Sequence, residues 1–245
     1  MDQGIYTAAS GAIAMEEKLK ILSNNIANAN TAGYKKDNVS FEQFSKYLDA
    51  SMLSPGEYRN VPIDVIAKGT YIDTTQGSFH NTGNPLDVAI NGDGFFEVDT
   101  EDGAAYTRAG SFQLTREGLL ITPQGHAVQG EGGDIVLGPG DVVIDGNGTV
   151  SLNGNPVDVL RIVNIPQDDL VRKGAGVFGT VEGAVPESVD APSLSQGSVE
   201  ASNVNPVKDM VGLITTQRAY ESFQKIIKSF NDTYSLAMRN VGSVS

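Results

Sequence analysis

The chain has 245 residues, 40% of them hydrophobic, and a formal net charge of −13, so it can build one large or two small domains and wholesale disorder is excluded. Nucleic acid and anionic membrane surfaces both demand clustered Lys and Arg, and the acidity argues against either as a partner. The absence of Cys removes a disulfide scaffold, a Cys metal site and a Cys nucleophile together.

No segment approaches the roughly 18 apolar residues of a transmembrane helix, so the chain is read as not membrane-spanning. Residues 1–20 lack a basic region followed by an apolar one, which reads as no cleavable secretory signal. The chain is then cytoplasmic or exported by a route that ignores such signals.

In the N-terminal part, Ile5, Ala12, Leu19 and Ile26 recur every seven residues, and Ala8, Met15, Leu22 and Ala29 form the companion row. These are a and d positions over about four heptads, with Asp2 near the helix start and Asn28, Asn30 and Gly33 as stop residues. A second short amphipathic helix is expected over Val39, Phe41, Phe44 and Leu48. The middle, residues 69–199, carries Asn91-Gly92, Asp93-Gly94, Asp102-Gly103 and Asn153-Gly154 turns. Between them lie short apolar runs at 87–90, 95–98, 134–137, 142–144, 149–152 and 157–165, which predict an all-β sandwich or open barrel. At the C-terminal end, Leu213, Tyr220, Ile227, Tyr234 and Val241 alternate with Thr216, Phe223, Phe230 and Ala237 at heptad spacing. Asn203 or Asn205 can cap that helix, Pro206 suits its first turn, and Gly242 its stop.

The expected fold class is α+β: long N- and C-terminal helices paired as a coiled-coil-like helical domain, with an all-β domain inserted between them. Residues 1–68 and 200–245 form the helical domain with its linker, and 69–199 the outer β-rich domain. If the helices pair, residues near Lys35 and Val199 lie close together. The heptad rows that a lone pair of helices leaves uncovered are the candidate assembly interface: Ile5, Ala8, Ala12, Met15, Leu19, Leu22, Ile26, Ala29, Leu213, Tyr220, Phe223, Ile227, Phe230 and Tyr234. The bland alternative for such stripes is an intramolecular core or an ordinary dimeric coiled coil.

Catalytic chemistry is hard to find. His80 and His126 stand beside turn residues without a carboxylate or second histidine at ligand spacing. Gly92-Asp-Gly94 and Gly138-Pro-Gly140 open no helix and read as turns, the first as a hairpin turn. Residues 99–103 lack the alternate ligand spacing of a calcium loop. No metal, no cofactor and no enzymatic activity are expected. Two other classes stay open: a cell-wall glycan enzyme with paired carboxylates in a cleft, and a coiled-coil adaptor of fixed stoichiometry.

Four stretches resemble, in order, the signatures of flagellar rod and hook proteins. They are Ser23-Asn-Asn-Ile-Ala-Asn-Ala-Asn-Thr-Ala-Gly-Tyr-Lys35, Gly83-Asn-Pro-Leu-Asp-Val-Ala-Ile-Asn-Gly-Asp-Gly-Phe-Phe96, Tyr106-Thr-Arg-Ala-Gly-Ser-Phe112, and Glu200-Ala-Ser-Asn-Val-Asn205 followed by Gln217-Arg-Ala-Tyr-Glu221. The residues carrying the resemblance are Asn24, Asn25, Asn28, Gly33, Tyr34, Asn84, Asp87, Gly92, Gly94, Ser202, Asn203, Asn205, Gln217, Arg218 and Tyr220. The short spacing from Lys35 to Gly77 and the opening Met-Asp-Gln-Gly-Ile-Tyr-Thr-Ala resemble the proximal-rod branch, with the distal-rod branch as alternative. The resemblance implies a structural subunit in the basal-body rod, in the periplasmic space. It implies export by the flagellar type III apparatus and assembly into a helical tube that transmits torque from motor to hook. The implied partners are further copies of the chain, homologous rod subunits including the distal rod, and hook proteins.

Overall fold

The computed structural model describes residues 2–45, 63–174 and 176–242. Two α-helices frame the chain: α1, Asp2–Ala27, and α2, Pro206–Gly242. At 1.5 Å per residue the 37 residues of α2 extend about 55 Å. Proline has no N–H to lose at the first helical position, which is why α2 can begin on Pro206. Between the helices the described residues form 19 strands, and the chain divides into two compact units. Unit 1 is residues 1–26, 37–71 and 206–245; unit 2 is residues 27–36 and 72–205.

Unit 1 holds the helices and a two-stranded sheet of β1, Asp37–Ser45, with β2, Ile63–Ile72. The second amphipathic helix expected at Val39, Phe41 and Phe44 is therefore strand β1; Leu48 lies outside the described residues. Three apolar residues two to three apart fit a strand face as well as a helix turn, and the β-branched and aromatic content decides for the strand.

The expected coiled-coil-like pairing is also corrected. On α1 only Ala8 and Ala12 of the two heptad rows are buried, while Ile5, Met15, Leu19, Leu22 and Ile26 are half-buried. Ala14 and Ile21, which belong to neither row, are buried instead. Ala29 falls past the end of α1, in the turn that follows, and is half-buried. On α2, Leu213, Tyr220, Phe223, Ile227 and Phe230 are half-buried and Tyr234 is exposed. Where the helices touch, aromatic rings lie on glycines. A Cβ on Gly4 would stand 2.8 Å from Phe230 Cζ, and one on Gly11 would stand 2.7 Å from the Phe223 ring. Gly costs a helix interior about 1 kcal/mol against Ala, and here it makes room for a ring. A seven-residue recurrence shows that a helix is amphipathic; it does not specify knobs-into-holes contact.

Unit 2 is antiparallel throughout. Its early strands are β3 (Phe79–Asn81), β4 (Val88–Ile90), β5 (Phe95–Thr100), β6 (Gly103–Thr107), β7 (Gln113–Leu114), β8 (Leu120–Ile121), β9 (Ala127–Gly130) and β10 (Gly133–Asp134). Then follow β11 (Val142–Ile144), β12 (Thr149–Leu152), β13 (Asn155–Val159), β14 (Ile162–Asn164), β15 (Leu170–Gly174), β16 (Val177–Thr180), β17 (Glu187–Ser188), β18 (Leu194–Gln196) and β19 (Ser198–Glu200). The main sheet runs β15-β16-β6-β5-β9-β8-β7, with β14 on β5, β17 on β14 and β10 on β9. Strands β11-β12-β13 form a separate sheet, and β4 and β3 pair with β18 and β19.

Successive side chains of a strand point to opposite faces, and β5 uses both. Phe96 and Val98 enter a core with Val88, Ile90, Phe112, Leu120 and Val150. Phe95 enters a second core with Tyr106, Val163 and Phe178. Edge-to-face ring pairs mark each side, Phe96 with Phe112 at 5.1 Å and Phe95 with Phe178 at 5.5 Å. The Asn153-Gly154 turn, with φ of 51° and 80°, joins β12 to β13, as a two-residue hairpin of the mirror-image type I kind requires. The Gly92-Asp-Gly94 turn is not a hairpin. It links β4 to β5, which lie in different sheets.

Candidate functional site: a buried ion cluster

Glu200, at the end of β19, is 1% exposed. Its Oε1 accepts from Lys35 Nζ at 2.7 Å and from the Gly77 N–H at 2.7 Å, and its Oε2 accepts from Arg108 Nε at 2.6 Å. Lys35 and Arg108 are 1% and 4% exposed. Lys35 also donates to the Thr75 carbonyl at 2.8 Å. Arg108 fans out to the carbonyls of Gly94, Gly92 and Ile90. Two cations thus share one carboxylate, and four backbone carbonyls supply the rest of the negative field. Burial pushes the Lys35 ammonium below its ordinary range, against the pull of Glu200.

Removing one member of such a set leaves an uncompensated buried charge, at about 3–5 kcal/mol, whereas a wholly apolar replacement can be neutral. A buried ion pair of this kind specifies which segments meet more than it adds net stability. The segments that meet are the four sequence motifs. Lys35 ends the first, Gly92 and Gly94 lie in the second, Arg108 in the third and Glu200 in the fourth. The expected proximity of Lys35 and Val199 is therefore realised around Glu200.

Several of the remaining motif residues in unit 2 support this junction. Gly33 has φ of 67°, its N–H donates to the Glu200 carbonyl at 2.8 Å, and a Cβ there would stand 2.2 Å from the Ala109 nitrogen. Tyr34 is buried under the Arg172 guanidinium, 4.7 Å above its ring, and Arg172 also bonds the Lys35 carbonyl. Asn203 accepts from the Lys36 N–H at 2.8 Å and donates to the carbonyls of Asp73 and Thr75. It is a tie between connecting segments and no helix cap. Ser202 accepts from the Val204 N–H, and Asn205 directly precedes α2. Asn84 and Thr82 both bond the Asp87 carboxylate, a local turn that sets up β4. Asn25, buried in unit 1, exchanges two hydrogen bonds with the backbone of Asp37. Asn28 anchors the turn after α1 through its carbonyl and the Thr31 N–H, while Asn24 is exposed. Gln217 and Arg218 are exposed on α2, and half-buried Tyr220 accepts from Gln224.

Arg108 and Glu200 were not singled out from sequence. One signal was available: each is the lone charged residue in its stretch, Arg108 within 104–112 and Glu200 within 195–205. A cleft of about 260 Å³ opens beside the cluster, but the Arg108 and Lys35 nitrogens that border it already donate to protein acceptors. Among the described residues no group of three His, Cys, Asp or Glu is arranged to hold a metal. No described helix is long and apolar enough to cross a membrane.

Three family profiles match in chain order. Residues 5–35 match "Flagella basal body rod protein", residues 89–152 match "Flagellar hook protein FlgE/F/G D1 domain", and residues 195–240 match "Flagellar basal body rod FlgEFG protein C-terminal". Among curated proteins, the chain is 36% identical to the flagellar basal-body rod protein FlgF of Caulobacter vibrioides, over 100% of both chains. It is 33% identical to the FlgF of Escherichia coli, over 95% of each. The FlgG of the same Caulobacter is 34% identical over 93% of this chain and 95% of its own.

Proposed function

The chain belongs to the flagellar basal-body rod and hook protein family, and from that premise we propose that it works as a FlgF-type subunit whose helical unit makes the contacts of a polymer. It is a structural subunit of the flagellar basal-body rod. The fit to the Caulobacter FlgF covers 100% of this chain, whereas that to the Caulobacter FlgG covers 93% of it. The observation that carries the structural reading is the junction. Each of the four signatures contributes a residue to one internal ion cluster, in which Lys35 and Arg108 donate to Glu200 and to backbone carbonyls.

The polymer is a helical tube in the periplasmic space, built by head-to-tail contacts that do not close, and it carries torque from motor to hook. Copies of this chain, homologous rod subunits and hook proteins are its neighbours, and the type III export apparatus delivers it. The role is mechanical and not catalytic. Of the heptad residues, Ala8 and Ala12 are buried and Ile5, Met15, Leu19, Leu22, Ile26, Leu213, Tyr220, Phe223, Ile227 and Phe230 are half-buried. The apolar surface still open on α2 includes Val207, Val211 and Ile214, which follow one another at helical spacing and are 68%, 58% and 51% exposed.

Complementation of a strain lacking the subunit tests this. Val211→Asp with Ile214→Asp should leave the purified chain as stable as the parent, since exposed positions usually shift stability by no more than about half a kcal/mol. The variant should be made and exported, fail to enter the rod, and leave cells non-motile. Normal swimming with the variant present in purified rods would sink the proposal.

A further inference from the structure

Residues 194–205 supply the partners of segments that lie far earlier in the chain. Strand β18 pairs with β4 through Leu194–Ile90, Ser195–Ala89 and Gln196–Val88. Strand β19 pairs with β3 through Ser198–Asn81, Val199–His80 and Glu200–Phe79. Glu200 brings the carboxylate bonded by both Lys35 and Arg108, across 165 and 92 positions. Other parts of unit 2 close on themselves. The β11-β12-β13 sheet is complete within residues 142–159, and the β5-β6 hairpin within 95–107.

We propose that unit 2 closes in two stages, the local hairpins first and the 33–36, 79–90 and 194–205 segments together, with Glu200 as the pin of the second stage. Before Glu200 arrives, Lys35 and Arg108 are two like charges destined for one dry spot. Burying them without a counter-charge is costly, so both stay solvated and the segments that carry them stay apart. The turn at 92–94 cannot settle either, because its inward carbonyls are held by Arg108. The last segment of unit 2 therefore acts as a timing device. Lys36 and Asn203, in the first and last segments of the unit, come into register only once residue 200 has docked. This inference does not depend on the rod reading.

Pulsed hydrogen exchange during refolding of the full wild-type chain tests the order. The N–H groups of Asp145 and Asn153 bond within the local sheet region, to Thr149 and Asp141. Those of Gly33, Thr82 and Ala201 bond across the late junction, to Glu200, Gly197 and Ser78. The second set should gain protection as one group, about tenfold or more slower than the first, because non-local pairing is the slow step. Equal rates for the two sets would overturn the proposal. Native-state exchange on full-length Glu200→Gln tests the pin. Protection at Gly33, Thr82 and Ala201 should fall by about a hundredfold or more, the scale for breaking a buried charge pair, with Asp145 and Asn153 unchanged. An equal fall at all five positions would show a single cooperative body and overturn it as well. The wild-type arm needs no variant to fold.

Discussion

Arg108 spends its Nε, Nη1 and Nη2 groups on one carboxylate and three carbonyls, a fan that a single ammonium cannot reproduce. Arg108→Lys should therefore destabilise unit 2 by about 3 kcal/mol or more, since each stranded buried acceptor costs about 1–3 kcal/mol. Urea unfolding of the full chain measures it; a loss under half a kcal/mol would mean that the fan is not needed. Asp73 makes a pH-dependent prediction. Burial pushes its carboxyl up, but bonds from Thr75 and Lys36 outweigh burial and hold it below its usual range. A carboxylate lowered in the folded state contributes stability above its unfolded pKa and loses it as pH falls through the folded one. The stability gap between wild type and Asp73→Asn should thus be full at neutral pH and shrink below about pH 4. Paired urea titrations at pH 7, 5 and 3 would show it, and a gap that widened with acid would refute the sign.

At the scale of elements, Gly11 of α1 and Gly212 of α2 have opposite reasons to exist. A methyl on Gly11 would press on the Phe223 ring, whereas one on Gly212 would meet Leu22 at an ordinary 3.6 Å. Gly11→Ala should lose stability by about 1–3 kcal/mol through overpacking. Gly212→Ala should gain up to about 1 kcal/mol from helix propensity. Thermal unfolding of both variants decides, and the same sign for both would contradict the packing described. Helix existence was legible because periodicity persists over many turns, and the Asn153-Gly154 hairpin because only certain residues tolerate two positive φ values. What the helices touch was not legible, since an amphipathic stripe names a face and no partner. The β1 segment was misread for want of length: nine residues cannot separate a period of 2 from one of 3.6. The ion cluster was half-visible. Its four motifs stand out in the sequence, yet pairing across 165 positions leaves no local mark there.

Across the whole molecule, charge is unevenly shared. Unit 2, residues 27–36 and 72–205, holds 19 of the 30 acidic side chains and only seven of the 17 Lys and Arg residues. Copies brought side by side in a polymer repel through this unit, and salt screens repulsion between exposed charges with a Debye length of about 10 Å at 0.1 M. Self-association of the purified chain should therefore rise from about 20 to 300 mM salt, where screening tightens. Sedimentation velocity reads it out, and association that falls with salt would point to attractive ion pairs at the contacts instead. The ion cluster also bears on how the molecule carries load. Tension entering the β-rich unit from α1 at Ala27 and leaving toward α2 at Asn205 meets direct bonds between the two segments, Gly33 N–H to the Glu200 carbonyl and Lys36 N–H to Asn203, each at 2.8 Å, backed by the Lys35–Glu200 pair. The load path is thus short-circuited: force passes across the junction while the strands beyond it hang outside the line of stress, free to vary in shape without weakening what pulls on the ends.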